Sequence, residues 1–185
     1  MKTRLGNISS IQTGVFAKPI REGEVVYLQS KDFDENGEIV DELYPYLIWD
    51  SRIEKHLLQK GDVLFAAKGT RNFAACYVDD KIAAVASTSF FVIRLQDNSV
   101  LPEYLAWYLN HPSIQSKLKG CAKGTSIVSI SKAVLVKLEI TIPTVAKQRM
   151  ILDIYNLRKL EKKTKEKIEK LREKEIQQIL INETI

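Results

Sequence analysis

After Pro143 the chain contains no proline and no glycine, and residues 147–182 carry apolar side chains at steps of three and four for most of their length. No other feature limits the fold more. At about 1.5 Å rise per residue, such a stretch predicts one helix of about 54 Å, longer than the radius of a domain of this size. Its stripe is Ile151, Ile154, Leu157, Leu160, Thr164, Ile168, Leu171, Ile176 and Ile179, with Lys and Glu filling the other faces. The step of five from Leu171 to Ile176 breaks strict heptads. Glu161 with Lys165 and Glu166 with Lys170 stand four apart in the order that supports a helix. The pattern is that of a coiled-coil or helix-pair seam. A helix folded back on its own domain is the alternative, and partner pairing is the stronger reading.

The rest of the chain predicts an α+β domain, residues 1–146, ahead of a helical unit, 147–185. Leu5, Ile8 and Ile11 at helical spacing, with Gly14 as a stop, predict a short opening helix. Strands are expected over 24–30, 63–67, 89–95 and 136–142, and a hairpin is expected from 73–78 and 82–85 flanking Asp79-Asp80. Asn36-Gly37 and Lys60-Gly61-Asp62 read as turns. Pro102 suits the first turn of a helix over 103–109, and Ser113 reads as the cap of a second helix over 114–119. Ser129 and Ser131 begin a further helical turn.

The 185 residues suffice for one domain with a core and an appendage. No apolar run approaches the ~20 residues of a membrane span, so a cytoplasmic protein is expected. Cys76 and Cys121 form no CxxC pair and read as two small buried hydrophobes in a reducing compartment. The net charge of +5 belongs to residues 147–175; residues 1–146 hold seventeen basic against sixteen acidic side chains. Six of those acids, Asp32, Asp34, Glu35, Glu38, Asp41 and Glu42, cluster together. A positive face for phosphates and evenly mixed solvated charge both fit that balance.

No catalytic constellation is present in the sequence. The prolines are too scattered for the Asn/Asp-Pro-Pro-aromatic signature of amino-methyltransferases. There is no glycine-rich phosphate loop, no dinucleotide fingerprint and no Cys/His set at zinc spacing. His111 reads as serving a helix end. Two loops instead suit hydrogen bonding: Lys68-Gly-Thr70-Arg71-Asn72 directly after a buried strand, and Lys123-Gly-Thr125-Ser126 after the helical pair. Arg and Asn can each pair with two acceptors or donors on a base edge, while Lys, Ser and Thr suit phosphates. Taken singly, each loop could equally be a solvated turn.

Together these segments resemble the specificity subunits of type I restriction-modification systems. The resemblance rests on Leu5 to Gly14, on Gly61-Asp-Val-Leu-Phe65 followed by Lys68-Gly-Thr70, and on Leu101-Pro-Glu-Tyr-Leu105 through Asn110. It continues through Gly124-Thr-Ser, Ile130-Ser-Lys and Ile140-Thr-Ile-Pro143 to Gln148. The family's Pro-Pro-Leu-x-Glu-Gln run reads Pro143-Thr-Val-Ala-Lys-Gln148 here, so its second Pro and its Glu are replaced. The resemblance implies a non-catalytic subunit without a cofactor of its own. Such a subunit reads double-stranded DNA and docks methyltransferase subunits, which carry S-adenosylmethionine, and through them the restriction subunit. Family members usually hold two recognition domains and two conserved helices. One of each here resembles a half subunit that pairs with a copy of itself, or a truncated product that only assembles with a methyltransferase. An antiparallel homodimer through 147–182 would demand a bipartite palindromic target, with half-site centres at most roughly sixteen base pairs apart at ~3.4 Å each.

Overall fold

The computed structural model describes all residues except Glu35, Asp41, Thr70, 79–81, 122–128 and 183–185. The chain divides into two compact units, Met1–Val145 and Ala146–Ile185.

The first unit is α+β. Its centre is a four-stranded sheet, in the order β2 (Ser9–Thr13), β8 (Phe90–Leu95), β5 (Val63–Ala66) and β6 (Ala74–Cys76), antiparallel throughout. A three-stranded sheet places β3 (Val25–Leu28) between β4 (Pro45–Leu47) and β7 (Ala84–Ala86), antiparallel to the first and parallel to the second. Strand alternation decides how the sheets meet. On β3, Val26 and Leu28 join Leu64, Ala66, Phe73, Ala75, Phe90 and Val92 in one core, together with Ala84 and Ala86 of β7. Val25 and Tyr27 point the other way and form a smaller cluster with Leu47, Ile53 and Val85. Every side chain of β3 is therefore buried, which is why the segment reads as continuously apolar.

Two features close the unit. Strand β1 (Lys2–Arg4) pairs antiparallel with β9 (Glu139–Thr141), and the Met1 ammonium donates to the Ile142 carbonyl at 2.9 Å. After the one-turn helix α1 (Ser51–Glu54), helix α2 (Pro102–Asn110) covers β5 and β6. Its buried Tyr104 donates its hydroxyl to the Thr141 carbonyl at 2.9 Å, tying the helix to the closing strand. At its far end the Asn110 amide accepts from Ala74 N and donates to Ala74 O, both at 2.7 Å. That reciprocal pair satisfies one backbone unit on the edge strand β6.

Several local expectations change. The opening segment is strand, 3-10 turn (Leu5–Asn7) and strand, not a helix. Leu5 is buried by the turn and Ile11 by strand alternation, so the two together imitate helical spacing. The segments around Asp79-Asp80 do not pair as a hairpin, because β6 joins β5 in one sheet and β7 joins β3 in the other. Helix α3 (Pro112–Gly120) is capped by the His111 ring, which accepts from Ser113 N at 3.3 Å, rather than by Ser113. Helix α4 (Lys132–Lys137) takes Val136 and Lys137, leaving only 139–141 as strand; Ser131 caps it. Cys76 is half-buried, and its burial pushes the thiol up to about 12; Cys121, past the end of α3, is exposed rather than buried.

The Gly61-Asp62 turn is held by an ion pair. The buried Asp62 carboxylate accepts from Arg94 Nε at 2.7 Å and Nη2 at 2.6 Å, and from Gln59 N at 2.8 Å. This contact raises the guanidinium pKa further. Arg94 also reaches the Leu57 carbonyl at 3.2 Å, so the pair locks β8 to the turn entering β5. Asp62→Ala strands these donors, and the partial exposure of Arg94 softens the loss. A destabilisation of about 2–4 kcal/mol is expected in urea unfolding, and a loss below about 1 kcal/mol would contradict this role.

Candidate nucleic-acid interface

The β5–β6 connection carries the first nominated loop, and its base is fixed from four sides. Ala66 N donates to Phe73 O at 2.8 Å, Ala67 N to Ser89 O at 2.9 Å, and Ile130 N to Ala67 O at 3.0 Å. Beneath it Phe73 packs on Phe33 and Phe90, with ring centroids 5.6 and 5.9 Å away. Gly69 takes φ 129, a left-handed value that side chains rarely adopt, although a Cβ there would meet nothing within 4 Å. The glycine serves the backbone path, not a close approach.

The nominated residues divide by role. Lys68 is exposed and its backbone bridges antiparallel to Ser129. Ser129 stands three residues after Ser126, the end of the second nominated loop, so a described residue downstream of that loop pairs with the first. Arg71 is exposed, with Nη2 3.5 Å from the Phe33 carbonyl. Asn72 turns inward and donates its amide to Ala66 O at 2.9 Å, closing the loop on itself. That donor is committed, so Asn72 holds the hairpin tip in this conformation. Thr70, Lys123, Thr125 and Ser126 lie outside the described residues.

A neighbour of the loop that sequence reasoning left apart is the acidic turn around Asn36-Gly37. Gly37 has φ 78, and a Cβ on it would stand 2.5 Å from the Ala74 carbonyl, so the turn lies against β6. Asp34 accepts from Asn36 N and Glu38 N, both at 2.8 Å. Arg71 reaches toward the entry of this turn, so cationic loop and acidic lobe are neighbours. Only an Asn-Gly signal in the sequence hinted at the turn, and nothing hinted at its docking site.

A second open feature is a cleft of about 510 Å3, between residues 15–20 and 47–53. Of its polar residues, Asp50 and Arg52 pair with each other at 2.8 Å. Among the described residues no group of three or more His, Cys, Asp or Glu could hold a metal ion.

In the second unit, helix α5 (Val145–Asn182) is continuous. Leu157, Leu160, Ile168 and Leu171 are 44–66% exposed, as uncovered as the charged faces beside them. At about 100° per residue, the five-residue step after Leu171 swings the stripe by about 140°. Relative to Thr164, Leu157, Leu160, Ile168 and Leu171 fall within about 40°, while Ile179, Ile154, Ile176 and Ile151 drift progressively to one side, from about 60° to about 140°.

The first unit thus presents cations on a braced hairpin, and the second is a helix with an uncovered apolar face. The chain belongs to the family described as type I restriction modification DNA specificity domain, whose profile matches residues 10–177. Among solved structures, the HsdS subunit from Thermoanaerobacter tengcongensis is similar at TM-score 0.62 and 23% identity, over 90% of this chain and 43% of that one. The S subunit of a type I restriction-modification system from M. genitalium gives TM-score 0.58 and 17% identity, over 85% and 38%. A chain from work on complex assembly and conformational transition of the type I R-M system gives 0.63 and 17%, over 87% and 38%. These likenesses show the fold. The chain spans about two fifths of the length of each. A search of curated proteins gave no match.

Asn72→Ala removes the internal tie of the hairpin and lowers stability by about 1 kcal/mol. Arg71→Ala, whose side chain is exposed, stays within about 0.5 kcal/mol of the parent in the same thermal melt. Equal effects would contradict the division of roles.

Proposed function

We propose that the chain is the DNA-reading component of a type I restriction-modification complex, non-catalytic itself, and that it works as an antiparallel homodimer. Residues 1–146 supply the target recognition domain. Residues 147–185 supply the helix that pairs with a second copy and docks methyltransferase subunits, and through them the restriction subunit. Family membership supports the DNA-reading part. Lys68, Arg71, Lys123, Thr125 and Ser126 are the contacts we assign to DNA, with Thr70 between them. Arg71 reads base edges and the lysines hold phosphates; Asn72 keeps the loop in shape and retains one amide hydrogen for a base.

The observation that carries the homodimer is a mirror in the central seam. Leu160 and Ile168 stand four residues either side of Thr164, and Leu157 and Leu171 stand seven either side. Two antiparallel copies centred on Thr164 stack Leu160 on the partner's Ile168 and Leu157 on the partner's Leu171, each contact formed twice. An isologous interface requires that self-complementarity. Successive repeats along the seam are eleven residues apart, from Leu157 to Ile168 and from Leu160 to Leu171, a spacing that gives a right-handed supercoil. Asp153 and Glu175, each eleven residues from Thr164, bound the apolar part.

Single cysteines in a Cys76→Ser, Cys121→Ser background test the pairing. Thr164→Cys oxidises to a covalent dimer because both copies meet there. Leu157→Cys does not, since its partner position is Leu171. Cross-linking at both sites indicates a parallel pair, and a monomer in light scattering removes the pairing altogether. With selected duplexes, Arg71→Ala flattens the preference at particular base pairs, whereas Lys123→Ala weakens every sequence alike. Uniform loss for both variants contradicts the assignment.

A further inference from the structure

The two strands that flank β8 leave the central sheet at the same level. Thr13 of β2 and Phe65 of β5 both pair with Phe91; one residue on, Gly14 N donates to Phe90 O and Ala66 pairs with Phe90. Both strands run antiparallel to β8, so both point out of the same end of the sheet. One exit leads to Lys68 and Arg71; the other leads, through Gly14 and Val15, to Phe16 and Lys18. The two roots stand two strand spacings apart, about 10 Å, of the order of a major groove about 12 Å wide. Between them lies the Ser87-Thr88-Ser89 turn that enters β8, its two serine hydroxyls 2.6 Å apart.

The second exit is braced as the first is. A Cβ on Gly14 would collide with the Ala86 and Ser87 carbonyls, so the backbone is pressed against that turn. Val15 N donates to Ala86 O at 2.8 Å. The hydroxyl of the buried Tyr27 donates to Val15 O at 3.1 Å and accepts from Ala17 N at 3.4 Å. Ile20 N donates to Tyr46 O at 2.7 Å and closes the segment. Phe16 is nevertheless 74% exposed, and Lys18 is exposed two residues on. Covering that ring with a ligand removes apolar surface from water without the cost of ordering its backbone.

The sign of the charge selects the ligand. Residues 13–19, 67–73 and 87–89 hold Lys18, Lys68 and Arg71 and no Asp or Glu. The acidic turn at Gly37 docks on β6, the opposite edge of the sheet from β2. The first acids of the chain, Glu22 and Glu24, lie beyond Ile20, and Glu24 accepts from Trp49 N at 3.2 Å. We propose that residues 15–19 are a second DNA-contacting arm beside the hairpin: Lys18 holds a backbone phosphate, and Phe16 packs on the methyl group of a thymine. The inference rests on the DNA-reading role proposed above and extends it to an element outside the two nominated loops. Lysine suits a phosphate as a point charge, and an apolar ring distinguishes thymine from the other bases by its methyl.

The test uses the full chain. Lys18→Gln, Lys18→Arg and Lys60→Gln, the last at the other end of β5, are compared on a 40-base-pair duplex of arbitrary sequence across a salt series. Lys18→Gln lowers the magnitude of the slope of log K against log salt by about 0.9 for each copy bound. Lys18→Arg and Lys60→Gln leave it at the parent value. Phe16→Ala and the parent are then compared on the duplex that the parent enriches from a random pool, with thymines replaced one at a time by uracil. The parent loses about 4-fold at one thymine, the worth of a buried methyl, and Phe16→Ala loses nothing further there. Equal melting temperatures for variants and parent keep folding out of the comparison. An unchanged slope in Lys18→Gln, or an equal fall in Lys60→Gln, overturns the phosphate contact. A parent indifferent to uracil, or a Phe16→Ala variant with the parent's response, overturns the base contact. Phe16→Ala that keeps DNA binding but loses methyltransferase binding also overturns it and gives the ring to a protein surface. A parent chain that binds no duplex overturns the DNA-reading role itself, and the arm with it.

Discussion

The uncovered apolar face of α5 is the constraint on which the functional account depends. In proteins most helical stability comes from packing an amphipathic face rather than from propensity, and this helix has an apolar face still to pack. Leu157, Leu160, Ile168 and Leu171 each still have about half their surface to bury, worth about 1 kcal/mol apiece. That gain is modest against the cost of association.

The first unit braces the hairpin that carries Lys68 and Arg71. Two sheets share one core, the Asp62–Arg94 pair fixes the strand entering the hairpin, and Asn110 clamps the strand leaving it. The hairpin is thus held at both roots and by the tie from Asn72 to Ala66. Preorganisation of this kind lowers the ordering cost of binding. It also explains why two glycines, Gly37 and Gly69, occur where the backbone takes positive φ beside the same edge strand.

Much of this was legible from residue order. The long helix, the strands at 25–28, 63–66 and 90–95, the helix begun by Pro102 and the helix-end role of His111 follow from local chemistry. What local chemistry could not provide was pairing between distant segments. The opening Leu5, Ile8 and Ile11 fit a helix until the closing strand β9 captures residues 2–4, and Ala74–Cys76 and Ala84–Ala86 look like one hairpin until each finds a different sheet. In the candidate interface, Lys68 and Arg71 stand exposed beyond the buried strand, as their type and position led one to expect. The inward turn of Asn72 was not expected, because an amide suits a carbonyl of its own loop as well as a base. The mirror about Thr164 was present in the spacing all along, and it gained meaning once the helix was continuous and its side chains uncovered.

Selection of duplexes from a random pool by the purified chain tests the central claim most directly, since it asks whether one recognition domain becomes two by symmetry. The account predicts an inverted repeat whose half-sites stand a fixed distance apart, within the roughly sixteen base pairs that a helix of about 54 Å can span. Enrichment of a single undivided site, or of two unrelated half-sites, would contradict it.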